Sequence, residues 1–304
     1  MAKNFWLKLK QPIIALAPMA GVGDSAFRQM CAEHGAQVLY SEMASAAALF
    51  YKPEETLELL KFDFKKERPY VVQLFGSTPE HFAVAAQIIT KKVKPDGIDI
   101  NFGCPVKKVI KTGAGAALMQ DLKKSRAVIE AVINNTNLPV SIKIRAASGK
   151  ISAEKFLLNI SDLKITTLMI HGRTLAQGFS GDIDCNLVKM ARQYFSGIIL
   201  INGGINNYTD IENILAKSGA DGVGIARGAY GNPWIFSGEK PAMPVIFKTA
   251  IKHAALMFKL KGKAGIIEMR KHLCWYISGF AGAAAIRAEL VKVETLAQIK
   301  KILK

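Results

Sequence analysis

The chain has 304 residues but only four cysteines, Cys31, Cys104, Cys185 and Cys274, far apart and with no C-x-x-C pair. That spacing excludes a zinc ribbon and a thioredoxin-like motif and argues against a secreted disulfide framework. Long apolar runs are missing as well. Charge-free stretches such as residues 11–23 and 197–209 span about a dozen residues, short of the roughly 18 that a membrane-spanning helix needs. The apolar run at 13–17 sits between Pro12 and Pro18, too short for the ~7–15 residues of a secretory leader. No membrane association is expected, and the expected location is cytoplasmic. His34, His81, His253 and His272 fall in helical patterns without ligand spacing, so no metal site is expected. Acidic residues are the scarcer sign, 24 Asp and Glu against 41 Lys and Arg, for a net charge of +17. The excess is uneven: residues 244–304 hold 12 basic and 3 acidic residues. A basic segment of this kind points to a polyanionic partner, nucleic acid first.

Nucleotide-binding glycine motifs are also absent. Gly113-Ala-Gly115 is followed by Leu118 and Gly222-Val-Gly224 by Arg227, where G-x-G-x-x-G needs a third glycine, and there is no Walker sequence. What recurs instead is a short β-rich run. Such runs lie at 13–17, 38–40, 71–75, 97–101, 140–144, 167–171, 198–202 and 222–225. They are continuous rather than alternating, as parallel strands buried on both faces should be. Helical patterns lie between them at 25–34, 79–92, 123–134, 153–163, 186–194 and 210–217, with Ser152 and Asp210 as candidate caps. Eight such units within about 225 residues predict a closed (β/α)8 TIM barrel rather than an open doubly wound sheet. Past residue 236 the strand signal stops. Residues 237–244 (SGEKPAMP) read as a linker, and three amphipathic helical segments follow at 245–260, 265–280 and 283–303. The expected organisation is a barrel catalytic domain over 1–236, a linker over 237–244 and a small basic all-helical domain over 245–304.

Barrel enzymes carry their chemistry where the strands end. The residues there are Pro18, Met19 and Ala20 after the first run, Gln73 in the third, and Asn101 and Cys104 around the end of the fourth. Lys143 and Arg145 end the fifth, and His171 and Arg173 the sixth. Asn202-Gly203-Gly204 closes the seventh and Ala226-Arg227-Gly228 the eighth. Polar groups gathered at one mouth suggest a site. The last two segments fit a phosphate corner, with glycine amides and the Arg227 guanidinium facing an anion. Cys104 lies on a mouth loop between Gly103 and Pro105, with Lys107 and Lys108 just beyond. It suits a proton donor or a nucleophile, and residue type does not separate the two. Lys143 suits charge neutralisation or a Schiff base, and His171 a hydrogen bond or a proton shuttle.

These segments resemble the tRNA-dihydrouridine synthases. The motifs are APMAGVGDSAFR (17–28), GIDINFGCPVKKV (97–109), SIKIR (141–145), HGRTLAQGFSG (171–181), INGGI (201–205), IARGAYGNPWIF (225–236) and, in the tail, MRKHLCWYISGFAGAA (269–284). The GCPVKKV form is most similar to the bacterial B-type branch. The resemblance implies an oxidoreductase with bound FMN on a barrel, followed by a helical tRNA-binding domain, acting as a monomer. It implies that NADPH reduces the flavin, that hydride passes to C6 of a D-loop uridine, and that Cys104 protonates C5. It implies flavin contacts for Pro18, Met19, Ala20, Gln73, Lys143 and His171, and phosphate-side contacts for Asn202, Gly203, Gly204, Ala226 and Arg227. Asn101 and Arg173 then face the substrate, and Lys107, Lys108, Arg270, Lys271 and Arg287 the tRNA. Ala226 stands where the family usually has glycine, Ala146-Ala147 where it has Gly-Trp, Leu175 where it has a basic residue, and Cys185 where it has Trp. The competing readings are an FMN oxidoreductase of a free pyrimidine, like the dihydroorotate dehydrogenases, and a non-catalytic RNA-binding protein.

Overall fold

The computed structural model describes residues 4–304. Eight parallel strands form its frame: β1 (Ile13–Leu16), β2 (Val38–Tyr40), β3 (Tyr70–Phe75), β4 (Gly97–Asn101), β5 (Val140–Arg145), β6 (Thr167–His171), β7 (Ile198–Asn202) and β8 (Gly222–Ile225). Neighbours in the chain pair in order, and β1 pairs with β8, so the ring closes as a (β/α)8 barrel. Each strand lies within one residue of its expected bounds. An extra pair of residues, Ala44–Ser45, adds to the end of β3.

Alternation along the strands divides the apolar residues between two layers. Ile13, Val71, Met169 and Leu200 join Trp6 in one cluster, the barrel interior. Leu16, Val72, Ile142 and Ile201 belong to a larger cluster that packs outward against the helices. Trp6, carried by the single turn Phe5–Lys8, is 1 % exposed and closes the end of the barrel opposite the site.

The surrounding helices are α1 (Ser25–Glu33), α2 (Ala46–Tyr51), α3 (Pro53–Leu59), α4 (Pro79–Ile88), α5 (Lys107–Lys111), α6 (Leu122–Asn134), α7 (Ala153–Asn159), α8 (Asn186–Ala191) and α9 (Tyr208–Ser218). Ser152 caps α7 as expected. Asp210 is not a cap. It is the third residue of a capping box whose N-cap is Asn207, so α9 starts two residues earlier than its periodicity suggests.

Beyond the barrel run α10 (Met243–Tyr276), α11 (Ala283–Leu290) and α12 (Leu296–Ile302). Helix α10 begins inside the segment expected as linker, with Pro244 in its first turn, where a missing N–H costs nothing. It breaks at Gly262 (φ 59, ψ −140), between the first two helical segments expected from the sequence. The segment expected as one helix over 283–303 is two. Thr295 and Gln298 form a capping box that starts α12, leaving 291–294 as a turn. The tail core contains Met257, Ile266, Met269 and Leu273, and also Ala26 of α1 and Trp234 from the barrel. Ion pairs Lys252–Glu33 (2.5 Å) and Lys261–Asp24 (2.9 Å) add to this packing.

Candidate active site

Parallel register puts partners on one face of the sheet. Asn101 pairs with Lys143, and Arg145 with His171, which pairs with Asn202. Polar residues at the strand ends therefore converge in one cavity of about 480 Å³ at the C-terminal mouth of the barrel. Pro18, Met19 and Ala20 line it from the loop after β1, and Gln73 and Asn101 from β3 and β4. Cys104, Lys143, His171 and Arg173 form further wall. Asn202, Gly203, Gly204, Ala226 and Arg227 complete it from the loops after β7 and β8.

Cys104 is 8 % exposed. Its turn is held on both sides. Asn101 Oδ1 accepts from the N–H groups of Gly103 and Cys104, each at 2.9 Å. Arg145 Nε donates to the Gly103 carbonyl at 2.7 Å, and Ala116 N to the Cys104 carbonyl at 3.2 Å. Gly115 (φ +60) permits that approach: a Cβ there would lie 2.9 Å from Cys104 Cβ. Burial pushes the Cys104 thiol up, against smaller opposing pulls from the Val106 backbone and the Arg145 and Lys143 charges. The thiol, not the thiolate, is the form this site favours at neutral pH.

Among the described residues four cations line the cavity, Lys143, Arg145, Arg173 and Arg227, and no carboxylate does. Burial and the Arg145 charge bring Lys143 down to about 8. Its Nζ donates to Asn202 Oδ1 at 3.0 Å, and Asn202 Nδ2 to the Gly224 carbonyl at 2.6 Å. The Asn202 amide is thus committed to Lys143 and to β8. Burial and the four surrounding cations hold His171 far below its ordinary value, so it is neutral. Arg173 Nε is anchored on the Gly181 carbonyl at 2.7 Å.

The loops after β7 and β8 meet, since a Cβ on Gly228 would overlap the Ile205 carbonyl. Gly203 has φ +106, and a Cβ there would come within 2.8 Å of the His171 ring. The amides of Gly203 and Gly204 donate to no acceptor among the described residues. Arg227 lies beside them with its guanidinium 4.3 Å from the centre of the Phe179 ring. Together these groups form a corner of donors and positive charge.

The remaining residues expected at the site lie outside the cavity. Lys107 and Lys108 are exposed on α5, directly past the Cys104 turn. Arg270, Lys271 and Arg287 are bonded within the protein. Arg270 Nε donates to the Val293 carbonyl at 2.9 Å and Arg287 to the Ile277 carbonyl at 2.8 Å. Lys271 Nζ donates to the carbonyl of Gly21, in the loop after β1. Met43, Phe179 and Tyr230 also line the cavity, and reading the strand ends does not find them. The last two sit within segments quoted for the resemblance, where an aromatic beside a glycine loop is the available signal. Tyr230 also stacks on Trp275 of α10, centroids 4.1 Å apart and planes at 12°. One face of α10 therefore touches the loops after β1 and β8. Among the described residues no group of three metal-ligating side chains occurs, and no helix is long and apolar enough to cross a membrane.

A family model described as dihydrouridine synthase (Dus) matches residues 15–304. A probable tRNA-dihydrouridine synthase 1 from Synechocystis is 32 % identical over 94 % of this chain and 84 % of its own. A probable tRNA-dihydrouridine synthase from Aquifex aeolicus is 31 % identical over 97 % and 96 %. The tRNA-dihydrouridine synthase B of Xanthomonas axonopodis pv. citri is 32 % identical over 93 % and 89 %. Among solved structures, histamine dehydrogenase from Rhizobium sp. 4-9 superposes with TM-score 0.56 at 12 % identity, covering 73 % of this chain and 45 % of that one. The old yellow enzyme from Trypanosoma cruzi gives 0.55 at 12 %, covering 79 % and 93 %. At such identities the structural likeness is one of fold.

Proposed function

Because the chain belongs to the dihydrouridine synthase family, we propose that its cavity reduces the C5–C6 double bond of a D-loop uridine in tRNA. The observation that carries this reading is the cavity itself: among the described residues it has four cations, no carboxylate and Cys104 in the wall. The residues fit FMN. The free amides of Gly203 and Gly204 and the Arg227 guanidinium suit a phosphate, and the glycine at 203 leaves room that a side chain would fill. Pro18, Met19 and Ala20, with Gln73, Lys143 and His171, would hold the ring. Held there, FMN would supply the two-electron reducing power for the uracil double bond, with NADPH as its source of electrons.

The protein's own residues do the rest. Cys104 carries the proton that C5 receives, and its raised pKa keeps that proton in place until needed. Lys143 places positive charge at the cavity floor, where an anionic ring is stabilised with little screening. Neutral His171 gives a hydrogen bond without adding a fifth charge. Asn101 holds the Cys104 turn from within, while Arg173, fixed on Gly181, faces the base from the rim. The target base must leave its stack to reach this depth.

The helices past residue 243, with Lys107 and Lys108 at the rim, form the tRNA-binding surface in this reading. Residues 1–236 form the catalytic unit, and the protein acts as a cytoplasmic monomer. Arg270, Lys271 and Arg287 contribute by shaping and seating that surface. The test is nucleoside mass spectrometry on dihydrouridine-free tRNA after incubation with protein, FMN and NADPH. A gain of two hydrogens on a D-loop uridine is expected. Reduction of free pyrimidine with tRNA left unchanged would overturn the reading.

A further inference from the structure

Asp99 is wholly buried in β4 and does not line the cavity. Its carboxylate accepts from Ser141 Oγ at 2.6 Å and from Gln73 Nε2 at 2.7 Å. Gln73 Oε1 then accepts from Asn101 Nδ2 at 2.8 Å. Asn101 Oδ1, in turn, accepts the peptide N–H groups of Gly103 and Cys104.

A side-chain amide has a donor at one end and an acceptor at the other, so two in series have a direction. Both ends of this series are fixed by groups that cannot reverse. An ionised carboxylate only accepts, and a peptide N–H only donates. Turning either amide around would set donor against donor and acceptor against acceptor among buried groups. We propose that Asp99 is a positioning residue for Cys104: its carboxylate sets the direction of the Gln73–Asn101 relay, and the relay holds the backbone of the thiol's turn.

The other ties on that turn, from Arg145 and Ala116, reach only its carbonyls. The relay is what binds its two N–H groups. Burial lifts Asp99 to about 6, against opposing pulls from the Ser141 and Gln73 hydrogen bonds and the Lys143 charge of β5. The buried Tyr40 hydroxyl of β2, itself pushed up by burial and by Asp99, faces it in neutral form. Neutral pH therefore keeps Asp99 in the acceptor-only form. Asp99 sits between Gln73 and Ser141 in register, so both donors reach it from the neighbouring strands.

The consequence for turnover rests on Cys104 being the proton donor, whereas the reactivity of its thiol does not. The experiment is alkylation by iodoacetamide followed by peptide-resolved mass spectrometry, run beside kcat and KM for tRNA. Asp99→Asn puts a neutral amide where the ionised acceptor stood, so the bond to Gln73 loses its charge and only the peptide end still fixes the direction. Cys104 labelling is expected to rise about fivefold, the equivalent of one net hydrogen bond, while Cys31, Cys185 and Cys274 keep wild-type rates. The value of kcat falls and KM for tRNA holds. Asp99→Asn combined with Gln73→Glu moves the acceptor-only group one step along and returns Cys104 to its wild-type rate. Cys104 labelled at the wild-type rate in Asp99→Asn overturns the proposal, as does acceleration of all four cysteines together. If Asp99→Asn does not fold, the double variant decides: folded protein with a slow Cys104 supports the relay, and protein as damaged as the single variant overturns it. Absence of tRNA reduction by the wild type would sink the functional reading and leave the labelling result to judge the relay.

Discussion

Cys104 and Lys143 titrate in opposite directions for one reason. Both are buried, and burial favours whichever form is neutral. For the thiol that form carries the proton, so in the proposed reaction the donor is loaded at neutral pH. Cys104→Ala is therefore expected to keep FMN and tRNA binding and to lose about a hundredfold or more in single-turnover reduction. Retained turnover would remove its role. For Lys143 the neutral form has lost its proton, and a pKa near 8 places that loss just above neutral pH. Anionic FMN in the same cavity favours the protonated lysine, so FMN binding takes up a proton above that pH. Apparent FMN affinity should weaken there, by at most about tenfold per pH unit for one linked proton. Lys143→Met should bind FMN more weakly at neutral pH and lose the slope, as flavin fluorescence titrations would read. Most of these residues were legible because barrel chemistry sits at strand ends, and strand ends were legible. Asp99 was not. In sequence it is one polar residue in a run, and only the register of β3, β4 and β5 brings Gln73 and Ser141 to it.

Elements pose a different problem of reading. Arginines that grip phosphate and arginines that tie carbonyls look alike in a basic tail. Arg270 and Arg287 proved to be carbonyl ties, joining α10 to the turn before α12 and the end of α10 to α11. Arg270→Glu should lower thermal stability by roughly 1–3 kcal/mol, the cost of a lost charge-assisted bond with its acceptor left unpaired. Lys300 and Lys301, exposed in the last turn of α12, are the cleaner probe. Reversing both should leave the melting temperature near wild type. The log–log salt slope of tRNA binding should flatten by about 1 for each phosphate no longer neutralised. An unchanged slope would move the RNA surface away from α12. The start of α12 is readable, since Thr295-x-x-Gln298 is a capping box in plain sequence. The apolar periodicity masks it by running on through the turn.

Across the whole molecule, barrel and tail meet around two buried histidines. His253 and His272 lie 4.8 Å apart by ring centres and pack on Phe27 of α1. His253 Nε2 and both ring nitrogens of His272 have no partner among the described residues. Burial lowers His253 to about 4 and His272 well below its ordinary value, with Lys261 and Lys271 adding to the effect and Asp24 opposing it at His253. The unfolded chain binds these protons near pH 6.5 and the folded chain does not. Stability is thus complete above about 6.5 and declines as pH falls toward the folded values. Melting temperature should drop between neutral pH and about pH 5, and His272→Phe should shallow the drop. A profile as steep in that variant would place the acid sensitivity elsewhere.

The face of α10 that carries Lys271 and Trp275 also bears on how such proteins can be recombined. Lys271 is seated on Gly21, Trp275 lies flat on Tyr230, and Gly231 leaves the space that the Trp275 backbone fills. The tail is therefore not an interchangeable attachment. A chimera that grafts a relative's tail onto this barrel inherits foreign partners for two of the loops that shape the flavin pocket. Such a hybrid should come off the column pale, and carrying the loops around Gly21 and Tyr230–Gly231 along with the graft should bring the yellow back.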